Sequence, residues 1–322
     1  MSAVSSNPPP PLAAPPRYCP WQRNADSLDT GLYRFGHDFG NGAMDGHLFQ
    51  FDQLFAEYRQ NLVANRAEPL GRYICEQDLS AELQQCINRF VIERLHREHP
   101  PYFRHSEQNR IISLSCLLTG ETLRFSRHGE LVDHNSAITP PYLNGLDALA
   151  SQCQEDFAIL QREHNGDYRV KALHLNCPNH WGADTRIGMN FEQLHAPVPG
   201  FAQRHTQTKK LLDGLLQRGP YTRFVWGMTD NRQLNQHPAH VARQDSSGND
   251  LQLRIERQVL WGFPEQAALL FTIRTLFLAA AELDRGEQDS LCTAIVDMPT
   301  ALLEYKASKQ VQQLVQQFCS KR

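Results

Sequence analysis

Histidine is the residue type from which chemistry would most readily be drawn here, and the chain of 322 residues carries 14. Most sit in settings that imply little. His96-Arg-Glu-His99 could place two rings on one helical face, but it precedes Pro100-Pro101 and has no third ligand at motif spacing. A capping or solvated role is expected there rather than zinc. His237-Pro-Ala-His240 falls in a polar stretch and reads the same way. His195 differs in its surroundings. It ends a short apolar segment (Ile187, Met189, Phe191, Leu194) and precedes Pro197 and Pro199, which fix the exit backbone. A metal ligand needs an imidazole aimed by rigid backbone, and this segment would aim one. A structural histidine at a helix end fits the same residues, so local pattern leaves both readings open.

Arginines set among apolar residues form the second group. Arg223 lies in Tyr221-Thr-Arg-Phe-Val-Trp226, where burial would call for an anion, a carboxylate or a polar ligand; projection to a solvated face is the alternative. In Arg254-Ile-Glu-Arg-Gln258, strand alternation puts Arg254, Glu256 and Gln258 on one face and Ile255, Arg257 and Val259 on the other. That face is either solvated and ion-paired, or the lining of a pocket in which Glu256 orients an amine. Arg274 in Phe271-Thr-Ile-Arg-Thr275 completes the set. Three successive strands that each carry an arginine among hydrophobics favour a polar pocket on a sheet, without identifying its ligand. Phosphate-loop, dinucleotide, nucleophile-elbow and H-E-x-x-H motifs are all absent from the sequence. Electrons from a nicotinamide cofactor would therefore have to arrive through another protein.

The elements that must position these residues follow from periodicity. Residues 48–66 read as an amphipathic helix, and Ser80 as the N-cap of a second helix that ends at His99-Pro100. Strands are expected over 110–118, 121–127, 168–175, 222–228, 251–261 and 268–277, and helices over 141–162, 187–194, 203–217 and 296–317. Asp245–Asp250 reads as a turn cluster. The order implies an α+β fold with an antiparallel sheet. Expected boundaries are a Pro-rich disordered arm at 1–16, a helical elaboration at 17–105, the core at 106–280 and a C-terminal helical segment at 281–322. With 32 basic against 35 acidic residues, no basic stripe is available to follow a nucleic-acid backbone. No apolar run is long enough for a membrane helix, and the N-terminus lacks the pattern of a secretory signal, so a cytoplasmic location is expected. The eight cysteines, none in a C-x-x-C pair, are accordingly expected as reduced structural thiols.

Six segments in order carry a resemblance: Gln154-Glu-Asp-Phe-Ala-Ile-Leu160, Asn176-Cys-Pro-Asn-His-Trp181, Ile187-Gly188 leading to Leu194-His-Ala-Pro-Val-Pro-Gly200, Arg223-x-x-Trp226, Arg254-x-Glu-Arg-Gln258 and Leu270-Phe-Thr-Ile-Arg-Thr275. Over about residues 48–278 the chain resembles the haem-dependent oxidative N-demethylase α-subunit family. The resemblance implies a PAS-like antiparallel core holding haem b, with added N- and C-terminal helices. It implies His195 as the iron ligand, with Pro197, Arg254 and Arg274 toward the haem. Arg223 would polarise oxygen on the distal side, and Glu256, with Trp226 nearby, would hold the amine. The implied reaction removes a methyl group from a small secondary amine such as dimethylamine, using O2. Electrons would come from NADPH through partner reductase subunits carrying FMN and a 2Fe-2S cluster, and tetrahydrofolate would take up the formaldehyde. The alternative on the same fold is a haem-based gas or redox sensor, or a non-catalytic haem protein. Val225 stands where the family usually has Asn, and Leu276 where it usually has Tyr. If either position contacts the substrate, the expected amine is a different, less polar one than dimethylamine.

Overall fold

In a computed structural model the described residues are 8–22, 31–201, 205–241 and 250–320. Along the chain come β1 (Tyr33–Arg34), α1 (Phe55–Arg66), β2 (Ile74–Glu76), α2 (Ala81–Glu98), β3 (Phe103–Gln108), β4 (Ile111–Cys116), β5 (Glu121–Ser126) and β6 (Leu131–His134). Next are α3 (Gly145–Ala150), β7 (Glu155–Arg162), β8 (Tyr168–His174), α4 (Ala183–Arg186), α5 (Phe191–His195) and α6 (His205–Arg218). The last are β9 (Tyr221–Thr229), α7 (Pro238–Val241), β10 (Gln252–Phe263), β11 (Ala268–Ala279), α8 (Arg285–Val296), α9 (Thr300–Lys306) and α10 (Lys309–Ser320). The chain divides into two compact units. One comprises residues 1–15, 47–70 and 78–154; the other comprises 16–46, 71–77 and 155–322.

The first unit carries α1, α2, α3 and a four-stranded antiparallel meander in the order β3-β4-β5-β6. Ser80 caps α2 by accepting from the Leu83 amide at 3.2 Å, and the helix buries Leu83, Ile87, Val91 and Leu95. His99 does cap this helix, but it is buried rather than solvated and donates to the Phe49 carbonyl at 2.7 Å. Residues 48–54 are not helical; the first helix begins only at Phe55. Of the expected Pro-rich arm, residues 1–7 lie outside the described residues. Within the remainder, the Ala13 carbonyl accepts from the Gln53 amide at 2.9 Å.

The second unit holds a seven-stranded sheet in the order β1-β9-β10-β11-β7-β8-β2, antiparallel at every pairing. The expected α+β class with antiparallel sheets is the one adopted. Three expectations fail locally. Residues 155–162 form the interior strand β7 rather than the end of a helix, because both faces of Glu155-Asp-Phe-Ala-Ile-Leu160 are buried and no period-two alternation is left to read. The expected 187–194 helix is instead two short helices, α4 and α5, on either side of a turn at Gly188. Cys292 and Cys319 form a disulfide, since α8 and α10 bring their Cα atoms to 5.9 Å, and they are not reduced thiols. Most of the Asp245–Asp250 cluster lies outside the described residues.

Register divides the side chains of this sheet cleanly. Glu256 pairs with Val225 and Thr275, and Gln258 with Arg223 and Ile273, so all of these share one face. The opposite face presents Trp226, Leu253, Ile255, Leu276 and Leu278, packed in one apolar cluster with Trp21, Leu291, Leu302, Val311 and Val315. Leu302, Val311 and Val315 thus belong to this core rather than to the surface. On the Arg223–Glu256 face, Leu260, Leu269 and Phe271 pack with Leu212, Leu215 and Leu216 of α6 and with Phe191 and Leu194 of α5. Among the described residues no helix is long and apolar enough to cross a membrane.

Candidate functional site

His195 owes its position to a short, well-capped helix. Asn190 accepts from the Gln193 amide at 2.8 Å, and the Gln193 side chain accepts from the Asn190 amide at 2.9 Å, which closes a reciprocal capping box around α5. Phe191 and Leu194 seat the helix on the apolar part of the sheet face. The His195 ring stacks on Phe191 at 4.0 Å and on Phe201 at 5.2 Å between centroids. Its Nδ1 donates to the Phe191 carbonyl at 2.8 Å. That bond fixes the proton on Nδ1 and leaves the Nε2 lone pair as the free ligand. Burial, helped by the charges of Arg223 and Arg186, pulls the imidazole pKa down to about 4, so the ring is neutral at neutral pH. A neutral imidazole held by a carbonyl at its other nitrogen is the form that binds a metal or a haem iron.

Arg223 rises from β9 on the sheet face against which α5 packs. Protein surrounds it without sealing it off, and its buried Nε has no hydrogen-bond partner. No ion pair to it occurs among the described residues. Burial lowers its pKa, and the negative charge of Glu256 opposes the shift. An arginine enclosed without a partner is costly, by several kcal/mol for an ion stripped of water. Such a group fits a site that receives an anion, or a ligand on which negative charge develops.

Glu256 stands across the strand pair from Val225. Its Oε1 accepts from Asn179 Nδ2 at 3.0 Å and lies 3.5 Å from Arg254 Nε; Oε2 accepts from Gln258 Nε2 at 3.3 Å. Asn179 is delivered by a loop pinned at two points. Asp156 accepts from the amides of Asn176 and Cys177 at 2.6 and 2.8 Å, and Arg254 Nη2 donates to the Cys177 carbonyl at 2.6 Å. Burial raises Asp156 to about 6 against the pull of those two amides. Beyond Asn179 the backbone turns through His180 at φ 60°, a left-handed conformation that costs a non-glycine residue on the order of 1 kcal/mol.

The sheet therefore brings some of the expected site residues together and separates others. Arg223 and Glu256 share the face that α5 covers, and His195 lies close enough to feel the Arg223 charge. Arg254 is on the same face but buried beneath Glu256, with its guanidinium engaged by Cys177, Leu234 and Thr275. Trp226 and Arg274 project from the other side. Trp226 packs edge-to-face on Trp21 at 5.8 Å, and fully buried Arg274 bonds the Thr275 carbonyl at 2.9 Å. Pro197 is exposed in the turn after α5. Of the two departures from the family pattern, Val225 faces the site, whereas Leu276 is in the opposite core. A cavity of about 240 Å³ lined by Tyr18, Tyr33, Phe39 and Phe224 belongs to that reverse side and not to this site. Asp156 and Asn179, inside segments already singled out, escaped the sequence reading.

No three His, Cys, Asp or Glu side chains converge on one point among the described residues, so this face offers single imidazoles such as His195 rather than a chelating ligand set. A lone neutral histidine opposite an unpartnered arginine fits haem better than a chelated ion. The model of a protein family described as haem-dependent oxidative N-demethylase, alpha subunit-like, matches residues 43–316, nearly the whole chain, and the chain belongs to that family.

Proposed function

We propose that this member of the family is a haem-dependent subunit that demethylates a small secondary amine, on a core of PAS-like form. His195 would hold the iron through Nε2, and Arg223 and Glu256 would line the sheet face that meets the substrate. The balanced reaction converts a methylated secondary amine, O2, two electrons and two protons into a primary amine, formaldehyde and water. Haem, when bound, supplies the dioxygen and electron-transfer chemistry, which no side chain can provide. The electrons would come from NADPH through partner subunits with FMN and a 2Fe-2S cluster, and tetrahydrofolate would accept the formaldehyde.

The contribution of the chain is placement and charge. Arg223, which has no ion pair among the described residues, would favour developing negative charge on this sheet face by about 1.5–3 kcal/mol per charge-assisted bond. Glu256, held by Asn179 and Gln258, would take the ammonium of the substrate and fix its methyl group in one direction. Val225, beside Glu256 across the strands, adds an apolar wall and favours an amine whose substituents are not themselves polar. The carboxylate speaks for an enzyme over a gas sensor, since O2, NO and CO need no anionic anchor.

One observation carries this reading: an arginine without a partner on the sheet face opposite a neutral histidine whose Nε2 is free for a ligand. Arg223→Ala should keep its haem, because the ligand is untouched, and should lose stable O2 binding together with at least tenfold in demethylation rate. Stopped-flow spectra of the reduced protein mixed with O2 measure the first, and formaldehyde release the second. An Arg223→Ala protein with the oxygen affinity and turnover of the parent contradicts the assignment.

A further inference from the structure

Both oxygens of Glu256 already meet protein groups, and they do so unequally. Oε1 accepts from Asn179 Nδ2 at 3.0 Å and has Arg254 Nε 3.5 Å away, whereas only Gln258 Nε2, at 3.3 Å, lies on Oε2. A carboxylate offers about four acceptor positions shared equally by its oxygens, so the open one is on Oε2. The sheet neighbours supply no second side-chain acceptor. Across the strands Glu256 faces Val225 on one side and Thr275 on the other, and the buried Thr275 hydroxyl accepts from Arg254 Nη2 at 3.3 Å. Beyond them on the same face stand Arg223, which can only donate, and the apolar Ile273 and Phe277. The amides of Asn179 and Gln258 give their N–H to the carboxylate, so their carbonyls diverge from it. Val225, Glu256, Gln258 and Ile273 are all half-buried, which leaves this patch accessible to a small molecule.

We propose that this patch selects a tertiary methylated ammonium, bound through its single N–H to Glu256 Oε2 with its alkyl groups against Val225, and takes a secondary ammonium less well. The inference rests on the reading of Glu256 as the amine anchor, and it widens the substrate class from secondary to tertiary amines. A secondary ammonium carries two N–H donors. One meets Oε2, and the other is left toward Val225, where a donor without an acceptor costs binding free energy. Replacing that N–H by N–CH3 removes the unmatched donor and adds a methyl group to the apolar contact. A quaternary ammonium has no N–H and forgoes the bond to Oε2. Secondary and tertiary amines are both cations at neutral pH, as lysine is in water, so total charge does not discriminate between them. The reaction stays balanced: a tertiary amine bearing a methyl group, O2, two electrons and two protons give a secondary amine, formaldehyde and water, with the electrons again from the partner reductase.

The test is calorimetric titration of the haem-loaded protein at pH 7 with the chlorides of dimethyl-, trimethyl- and tetramethylammonium. Trimethylammonium should bind about tenfold more tightly than dimethylammonium, and tetramethylammonium about tenfold more weakly than trimethylammonium. Val225→Thr keeps the shape of the side chain and adds an acceptor beside Glu256, so it should bring the two protonated amines to within about twofold of each other. A parent protein that binds dimethylammonium as tightly as trimethylammonium overturns the proposal. So does equal binding of tetramethylammonium, or a preference that Val225→Thr leaves unmoved. Glu256→Gln separates the two levels. If it binds trimethylammonium like the parent, the amine-anchor reading fails. If it weakens binding by about tenfold or more while the parent prefers dimethylammonium, only the inference about tertiary amines fails.

Discussion

One buried and one half-buried histidine show how little the residue type says by itself. His99 and His195 are both pushed down to about pKa 4 chiefly by burial, and each donates one ring N–H to a backbone carbonyl. The His99 ring is packed edge-on against His47 and Phe51 and serves the interior of its unit. The His195 ring lies in the field of two arginines on the face that carries Glu256. For His99 the consequence is stability. Its folded pKa lies below the unfolded value near 6.5, so its contribution is complete above that value and is lost as pH falls through 6.5 toward 4. The loss is on the order of 3 kcal/mol. Urea unfolding at pH 7, 5 and 4 should show it in the parent protein, and His99→Gln should flatten that part of the profile while keeping a donor for the Phe49 carbonyl. Equal acid sensitivity in the two proteins would mean that His99 is not the titrating group. Residue type does not separate these two histidines; the segment around each and the elements that seat it do.

Helix α6 and strand β10 make the closest approach in the scaffold of the site. A Cβ on Gly262 would meet the Leu216 carbonyl oxygen at 2.3 Å and its Cα at 3.0 Å, so only glycine lets the helix settle on the strand. Gly262→Ala should cost about 2 kcal/mol or more, because backbone rather than a flexible side chain must give way. A fall in melting temperature checks this, and an unchanged value would show that the helix can shift without penalty. At this scale much was legible. The three long strands were readable as long runs rich in β-branched and apolar residues bounded by turn residues, and Ser80 announced α2. Strand β7 was not, since a run buried on both faces has no period. Alternation also foretold that Arg254, Glu256 and Gln258 share a face. It could not say that Trp226 and Arg274 belong to the other one, because that depends on register between strands far apart in sequence.

At the scale of the second unit, the candidate site is assembled from residues 156, 179, 195, 223 and 256, joined by sheet order and not by nearness along the chain. The motif order pointed to these five segments. Arg223 and Glu256 have their proposed roles only if haem occupies the face that His195 overlooks, so the iron ligand is where the account is most exposed. The direct measurement is haem content and the ferrous–CO difference spectrum of the purified protein beside His195→Ala. The account predicts one haem per chain in the parent and loss of most of it in the variant, restored in spectrum when imidazole is added. Unchanged haem occupancy and Soret position in His195→Ala, or a parent protein that takes up no haem on reconstitution, would contradict it.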